Sequence, residues 1–436
     1  MKEIFPDIPR ITFEGPDTKN PFAFRYYEAD KKVGGKTMAE HFRFSMAYWH
    51  SMNGGGTDPF GTVTAIRPWD GETDPMEVSR IKMRGIFELT DKLTIPFFCF
   101  HDRDIAPDGE TLREANRNLD EIVALTKSLM SEYPTRLLWG TAQLFFHPRY
   151  MNGAATSPDP RVFAYAAGQV KKAMEVTKEL GGANYVFWGG REGYETVLNT
   201  DMRRELDNMG YFLQLARDYA KEIGFDGQLL IEPKPMEPTK HQYDSDTGAL
   251  WGFLQEYGLT KDFKLNIETN HATLAGHTIQ HELHFARVKG ILGSVDANQG
   301  DTLLGWDTDQ FPTDLYVTTS MMYEILQNGG LHKGGLNFDA KVRRPSNTVA
   351  DLVQAHIAGM DTFARGLMTA QAIIDDGELP GFVEKRYSGY GADIGKQIAA
   401  KQTSFRELDE WVLDRQIMHP ESGRQEYLEA LVNRFL

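Results

Sequence analysis

The sequence predicts an α/β fold, a (β/α)8 TIM barrel with a C-terminal helical extension. Two observations support this prediction. Short apolar runs alternate with segments of helical period eight times between residues 44 and 372, and strict alternation implies parallel strands joined by right-handed crossovers. Several consecutive runs also end on a carboxylate, a pattern that is typical of the active face of a parallel barrel. An open doubly wound sheet is the alternative fold.

The predicted elements alternate in a regular order. The predicted strands cover residues 44–49, 95–101, 136–142, 184–188, 228–232, 263–268, 290–296 and 334–339. The helices that follow them are predicted over residues 76–93, 111–130, 161–180, 195–223, 246–257, 272–286, 313–328 and 347–372. Apolar residues recur near helical spacing in the second helix, and a pair of glycines, Gly181 and Gly182, follows the third as expected for a helix C-cap.

The chain divides into three predicted regions. Residues 1–34 are rich in proline and glycine and form an N-terminal extension of low regularity. Residues 35–375 form the barrel domain, which carries the candidate chemistry. Residues 376–436 are polar, helical in pattern and without a ninth strand, so we expect an arm that packs outside the barrel or on another subunit.

Composition limits the possible partners and the compartment. Among 436 residues, 47 Lys and Arg oppose 62 Asp and Glu, which gives a formal net charge of −15. This charge argues against nucleic acid or an anionic membrane as the main partner. Cys99 is the single cysteine and is expected to be a buried small apolar residue, which fits a reducing compartment. The N-terminus lacks an apolar signal core and no run could span a bilayer, so a cytoplasmic protein is expected.

The ends of the predicted strands carry the candidate site residues. These residues are Trp49, His101, Thr141, Trp188, Glu232, Glu268, Asp296 and Asp339. On a barrel all eight would face one mouth. Four carboxylates this close would repel one another and take up protons unless cations lay between them. The crowding therefore predicts a metal site, although a single Asp after a strand is more often a helix cap or a turn residue.

Three further residues are candidates for the same metal site. His271 follows Glu268 by three positions, and Asp307 and Asp309 lie two apart, so that both carboxylates would point to one side of an extended chain. Carboxylates with one imidazole suit a hard or borderline divalent cation such as Mg²⁺, Mn²⁺ or Co²⁺.

Two motifs could act on a substrate. Asp104 follows His101 by three positions and could fix the tautomer of its imidazole, although such a pair alone is weak evidence of catalysis. Lys234 stands between two prolines that restrict the backbone, and it could polarise a substrate oxygen or be a solvated loop lysine.

Other polar patterns are assigned no role. His277, His281 and His284 do not form the zinc motif His-Glu-x-x-His and are expected on a solvated helix face. The pair Asp307 and Asp309 does not continue as a calcium-binding loop. The aromatic residues near the third strand, Trp139, Phe145 and Phe146, could be core or could bind the face of a sugar.

Four motifs in the barrel region give a resemblance to a known family. They are Phe-His-Asp-Arg-Asp (100–104), Val-Phe-Trp-Gly-Gly-Arg-Glu-Gly-Tyr-Glu (186–195), Glu-Pro-Lys-Pro (232–235) and Asn-Phe-Asp-Ala-Lys-Val-Arg-Arg (337–344). These motifs are long and specific. On them the chain resembles xylose isomerase over about residues 35–385, and its N-terminal extension is similar to that of the longer of the family's two classes.

The resemblance implies two divalent cations, usually Mg²⁺, Mn²⁺ or Co²⁺, and a role for each matched residue. One cation would be held by Glu232, Glu268, Asp296 and Asp339, and the other by Glu268, His271, Asp307 and Asp309. His101, oriented by Asp104, would assist ring opening, and Lys234 would bind the oxygen at C1 of the sugar.

The same resemblance implies a sugar pocket that two subunits complete. Trp49, Trp139, Thr141 and Trp188 would contact the sugar, and Phe60 would reach into the pocket of a neighbouring subunit in a homotetramer. The implied reaction converts D-xylose to D-xylulose, and D-glucose to D-fructose as a side activity, by ring opening and a 1,2-hydride shift.

Two other classes of function remain as alternatives. One is a metal-dependent nuclease on a similar barrel, against which the charge of −15 argues. The other is a metal-binding scaffold without catalysis, against which His101 and Lys234 argue because neither is needed to hold a hard cation. Within the isomerases, an enzyme acting on another sugar such as rhamnose is the nearest alternative.

Overall fold

The computed structural model describes residues 3–416 and 418–436 and contains a closed barrel of eight parallel strands. The strands are β1 (Ser45–Ala47), β2 (Phe97–His101), β3 (Arg136–Thr141), β4 (Asn184–Phe187), β5 (Gln228–Ile231), β6 (Phe263–Glu268), β7 (Leu292–Asp296) and β8 (Leu336–Phe338). Each strand pairs with the next in sequence, and β8 closes the barrel on β1, with Phe338 opposite Met46. The predicted barrel is confirmed, and the open sheet is excluded.

The helices surround the barrel in the predicted alternation. They are α1 (Pro75–Lys92), α2 (Leu112–Glu132), α3 (Pro160–Glu179), α4 (Met202–Glu222), α5 (Thr247–Glu256), α6 (Ile279–Lys289), α7 (Leu315–Gln327) and α8 (Val349–Asp376). Capping explains many of their ends. Asp74 caps α1 directly before a proline at the first helical position, and Gly377 ends α8 in the left-handed region, where glycine avoids a Cβ clash.

Two predicted helices differ from those observed. The helix predicted from residue 195 begins at Met202, because Asp201 caps it there and a 3₁₀ turn, Val197–Asn199, occupies the preceding segment. The helix predicted over residues 272–286 is two helices, Thr269–Leu274 and α6. Gly276 separates them with a φ of +74°, a conformation that no α-helix contains.

The N-terminal segment is held by two small strand ladders and by hydrogen bonds to one buried carboxylate. Strand Thr12–Phe13 pairs with Ala23–Phe24, and Lys32–Val33 pairs with Lys36–Thr37. The carboxylate of Asp361 on α8 accepts hydrogen bonds from three successive backbone amides, those of residues 25–27, so the extension is fixed to the outside of the barrel. A short helix, Met38–Phe42, then leads into β1.

The core has two parts that together position the site. A large apolar cluster fills the layer between strands and helices, and a small cluster that includes Cys99, Leu138 and Val186 fills the barrel interior. Cys99 is buried, as predicted, beside the hydroxyl of Ser45. Because the interior is packed, the open end above the strand termini is where a ligand can enter.

The C-terminal arm consists of four short helices and no strand among its described residues. These are α9 (Glu378–Tyr387), α10 (Asp393–Ala399), α11 (Phe405–Val412) and α12 (Gln425–Asn433), with a 3₁₀ turn at Ser388–Gly391. Only Leu431 is buried on any of them. Within the described residues, none of the helices has the length and apolar character that a bilayer span needs.

Candidate active site

A cavity of about 200 Å³ lies at the carboxyl ends of the barrel strands. Its lining includes eleven of the residues predicted from the sequence. They are Trp49, His101, Trp139, Thr141, Trp188, Glu232, Glu268, His271, Asp307, Asp309 and Asp339. Of the other predicted residues, Asp104, Lys234 and Asp296 lie buried or half-buried behind this lining, whereas Phe60 is 90% exposed on the loop after β1.

One group of carboxylates joins four strands at the floor of the cavity. Oxygen atoms of Glu232, Glu268, Asp296 and Asp339 all lie within 4.8 Å of one another, and all four residues are buried. The amide of Asn266 donates to Glu232 at 2.9 Å and to Asp296 at 2.8 Å, so it holds these two carboxylates side by side. This is the first of the two sets that the resemblance implied.

The electrostatics of this group show that it is short of positive charge. Burial, together with the nearby charge of Asp339, raises the pKa of Asp296 to about 7. Burial and the charge of Asp296 likewise raise the pKa of Glu232, and burial and the charge of Asp307 raise that of Glu268. Carboxylates that resist ionisation because of one another are stabilised when a cation lies between them.

A second group shares Glu268 with the first. Oxygens of Glu268, Asp307 and Asp309 lie within 4.8 Å of one another. His271 contacts the same group, with its Nε2 atom 2.9 Å from Glu268 and 3.5 Å from Asp307. Asp309 has a φ of +42°, so the segment is not the extended chain on which its prediction rested. A left-handed turn brings the two carboxylates together instead.

Lys234 is buried in the mouth and paired with a carboxylate. Its Nζ atom donates to Asp307 and lies 5.4 Å from the ring centre of Trp188. Burial alone would lower the pKa of Lys234, but the charges of Asp307, Glu268 and Asp309 and the hydrogen bond to Asp307 together outweigh burial and raise it. The solvated-loop interpretation of Lys234 is therefore wrong. The lysine is held charged at the edge of the second carboxylate group.

His101 is fixed by a chain of hydrogen bonds that leads away from the cavity. Its Nδ1 atom lies 2.7 Å from Asp104, as the spacing predicted. Gln143 donates from its side-chain amide to the other oxygen of Asp104 at 2.9 Å and from its backbone amide to Asp102 at 2.9 Å. Because Asp104 accepts from the Nδ1 side, the Nε2 atom of His101 is free to face a ligand.

Aromatic rings form the walls of the cavity. The ring centre of Trp49 lies 4.5 Å from that of His101 and 5.4 Å from that of Trp139. Phe145 meets Trp188 edge-on at 4.5 Å. Trp139 is both barrel core and cavity lining, and Phe145 lines the cavity, so the interpretation of these residues as sugar-binding stays a prediction. Phe146 belongs to neither, because it is largely exposed.

Sequence reasoning missed His50. A π-helical turn, Trp49–Asn53, follows β1, and such turns often occur at functional sites. His50 lies 2.8 Å from Asp339 and 3.2 Å from Asp309, so it touches both carboxylate groups. Burial opposes its charge, but Asp339 and Asp309 raise its pKa to about 9. Its position beside Trp49 at a strand end was the available signal.

Asn298 was also missed. Its side-chain amide donates to Glu268 at 2.7 Å and to the backbone carbonyl of Asp339 at 2.8 Å. It thereby fixes the carboxylate that the two groups share. Asn298 lies two residues after Asp296, and an amide so close to a predicted ligand was a usable signal.

Of the three histidines around α6, only His277 departs from the predicted solvated face, because it is half-buried, whereas His284 is exposed as predicted. His277 precedes the helix and pairs with the buried Glu282 at 2.6 Å, and His284 pairs with the buried Glu324 at 3.1 Å. His281 is exposed, as predicted.

The donor set at the mouth suits divalent cations. Six carboxylates converge with the imidazoles of His271 and His50, and Lys234 and Lys341 pair with carboxylates of the same set. Hard and borderline divalent ions prefer oxygen ligands with an occasional imidazole. The chain is thus a parallel-barrel protein whose mouth suits the binding of divalent metal ions.

Comparisons with known proteins identify the family. The chain is 58% identical over 434 residues to the xylose isomerase of a Thermoanaerobacter species, a match that covers 100% of this chain and 99% of that protein. It is 60% identical over 432 residues to the xylose isomerase of Geobacillus kaustophilus, with 99% and 97% covered. A family model described as the XylA2 C-terminal domain matches residues 383–436. The chain belongs to the xylose isomerase family.

A solved structure supports the fold alone. A putative sugar phosphate isomerase/epimerase from Anabaena variabilis is 14% identical and superposes with a TM-score of 0.51, over 75% of this chain and 98% of that one.

Proposed function

We propose that this enzyme interconverts D-xylose and D-xylulose, and D-glucose and D-fructose as a side activity, by ring opening followed by a 1,2-hydride shift. Full-length identity of 58–60% to proteins named xylose isomerase supports the activity. The observation that carries the mechanism is the mouth, where two groups of carboxylates share Glu268.

Two divalent cations, Mg²⁺, Mn²⁺ or Co²⁺, are the proposed cofactors. The first would be held by Glu232, Glu268, Asp296 and Asp339, and the second by Glu268, His271, Asp307 and Asp309. When bound, they supply Lewis acidity to the oxygens of the substrate. The raised pKa values of Glu232, Glu268 and Asp296 support the assignment, because these are the acids with the greatest deficit of positive charge.

His101 is proposed to move the proton that opens the sugar ring. The contact of its Nδ1 atom with Asp104 sets the tautomer and leaves Nε2 facing the cavity. Gln143 then acts as a positioning residue, because it holds Asp104 from behind.

Lys234 is proposed to bind the oxygen at C1 of the open-chain sugar. Its pairing with Asp307 keeps it protonated, and its place over Trp188 aims the ammonium along one wall of the cavity. The protonated amine can donate hydrogen bonds, but it cannot act as a base because it has no free lone pair.

The aromatic walls are proposed to bind the sugar and to exclude water. Trp49, Trp139 and Trp188 line the cavity together with Thr141, whose hydroxyl donates to the backbone carbonyl of Val186. A direct hydride shift needs little water at C1 and C2. No uncommitted carboxylate lines the cavity among the described residues, so an enediol route would have no free base.

A homotetramer in the cytoplasm is the proposed working form. Phe60 is 90% exposed on the loop after β1, and an exposed phenylalanine is costly unless another surface covers it. The pocket of a neighbouring subunit would cover this ring and complete the walls.

The test is ketose formation from a panel of aldoses, with and without Mg²⁺. Purified protein is stripped with a chelator, and xylose, glucose, rhamnose and arabinose are offered in turn. The proposal requires xylulose as the fastest product and no turnover until Mg²⁺ is restored. Turnover by the stripped protein would refute the metal assignment. A faster reaction with rhamnose would refute the proposal that xylose is the preferred substrate.

A further inference from the structure

The junction between the short helix Thr269–Leu274 and α6 is a rigid turn that holds two histidines. Gly276 makes the turn with a φ of +74°, and the backbone amide of His277 donates to Ala272 at 2.9 Å. Thr278 caps α6, because its hydroxyl accepts from the amide of His281 at 3.2 Å. Hydrogen bonds therefore fix the backbone at both histidines.

A buried carboxylate lies between the two histidines. Glu282 is 2% exposed, and its Oε2 atom accepts from both the amide and the hydroxyl of Thr247 on α5. Its Oε1 atom lies 2.6 Å from Nδ1 of His277. One oxygen anchors the side chain to the fold, and the other faces the turn.

His281 brings a third donor atom to the same point. Its ring centre lies 5.1 Å from that of His277, with an angle of 68° between the planes. Donor atoms of His277, His281 and Glu282 all lie within 4.8 Å of one another. A hydrogen-bonded pair of His277 and Glu282 does not require His281 to converge on it, whereas a metal site does.

We propose that His277, His281 and Glu282 bind a divalent cation of the zinc class. Two imidazoles and one carboxylate are the ligands that Zn²⁺ takes, with water completing a tetrahedron at the solvent side. This donor set differs from that of the active site, where carboxylates dominate and Mg²⁺ is suited. These three residues take no part in the proposed isomerisation, so a negative result for zinc binding would not count against the isomerase function.

The ion would stabilise the junction beneath the active site. Glu282 shares the lining of a small cavity with Glu268 and His271, so the cluster lies directly behind the helix that carries His271. A ligand that binds only the folded chain raises its unfolding temperature. Zinc should therefore stabilise the protein further when Mg²⁺ is already saturating.

Equilibrium dialysis against radioactive zinc, in excess Mg²⁺, measures the site. His281→Ala removes an exposed ligand, and His284→Ala is the matched control, one turn further along α6 and paired with Glu324. Wild type and His284→Ala should bind one more zinc ion per chain than His281→Ala does. Equal zinc content in wild type and His281→Ala, or equal losses in both variants, would overturn the proposal.

Thermal unfolding supplies a second readout. Zinc should raise the unfolding temperature of the Mg²⁺-loaded wild type and of His284→Ala, but not that of His281→Ala or His277→Gln. Xylose turnover with Mg²⁺ alone should be the same for His281→Ala and wild type, which verifies the fold. A zinc-dependent rise that persists in both ligand variants would overturn the site.

Discussion

The barrel mouth and the C-terminal arm differ in how far their side chains are buried and held in place. At the mouth, carboxylates from four strands are buried and fixed by amides such as Asn266 and Asn298. On the arm, four helices carry one buried side chain, Leu431, and Phe405 is 94% exposed. The carboxylates of the mouth come from one chain and are held in place by its own amides, whereas the arm buries little of itself and leaves side chains such as Phe405 exposed. The arm is therefore the region whose part in assembly we propose to test, separately from the chemistry proposed for the mouth.

The largest effect should come from the carboxylate that the two groups at the mouth share. Glu268→Ala should lower kcat/KM for xylose on the order of 10³-fold, the scale on which a preorganised electrostatic group at a reacting centre acts. Asp309→Ala alters only the second group of carboxylates and should therefore lower kcat/KM by a smaller factor. Steady-state kinetics at saturating Mg²⁺ measure both, and a larger loss in Asp309→Ala would show that Glu268 is not shared.

His101→Gln should be the next most severe change at the mouth. It keeps a hydrogen-bonding group but loses the acid–base range of imidazole, which is worth about 10²–10⁴-fold in general acid–base catalysis. The loss should be greatest with the cyclic α-anomer as substrate. An equal loss with substrate presented in open-chain form would place His101 in the isomerisation step instead.

Gln143→Leu should have a smaller effect of a distinct kind. Without the donor to Asp104, the imidazole of His101 is held less firmly, and losing a residue that orients a functional side chain lowers activity about 10- to 100-fold. The pH profile of kcat/KM should move. Gln169→Leu is the control, because Gln169 contacts Asp102 and the carbonyl of Gln143 but not Asp104. A shifted profile in the control alone would contradict this role.

Removing the arm should change assembly and leave metal binding at the mouth intact. Truncation after Gly377, where α8 ends, should give species smaller than a tetramer by light scattering. The truncated chain should retain the full Mn²⁺ content in equilibrium dialysis. Phe405→Ser in the full chain is a smaller change than the truncation and should also shift the protein towards smaller species in light scattering. A tetramer of truncated chains would show that the arm is not needed.

The regular parts of the molecule were predictable from the sequence because periodicity and packing agree there. Eight apolar runs with helices between them admit few topologies, and the strand ends then locate the mouth. The break at Gly276 was not predicted, since the apolar pattern continues across it and only the φ of +74° separates the two helices. Tertiary geometry, not local propensity, determines that turn.

The candidate site was predicted at the carboxylates and missed at the residues that hold them. Glu232, Glu268 and Asp296 stand at or directly after strand ends, and their negative charges repel one another unless positive charge lies nearby. Gln143 lies in a loop and His50 in the π-helical turn after β1, and their contacts with Asp104 and Asp339 depend on how the chain folds back. A residue that acts by holding another side chain has no regular spacing that a sequence pattern would reveal.

The central claim is that this mouth has no free base and moves a hydride directly from C2 to C1. Isomerisation of xylose in heavy water, with the product analysed by NMR, tests it most directly. Hydride transfer predicts xylulose with essentially no deuterium at C1, because the migrating hydrogen never exchanges with solvent. Substantial deuterium at C1 during turnover would contradict the hydride shift and require a proton-transferring base at the mouth.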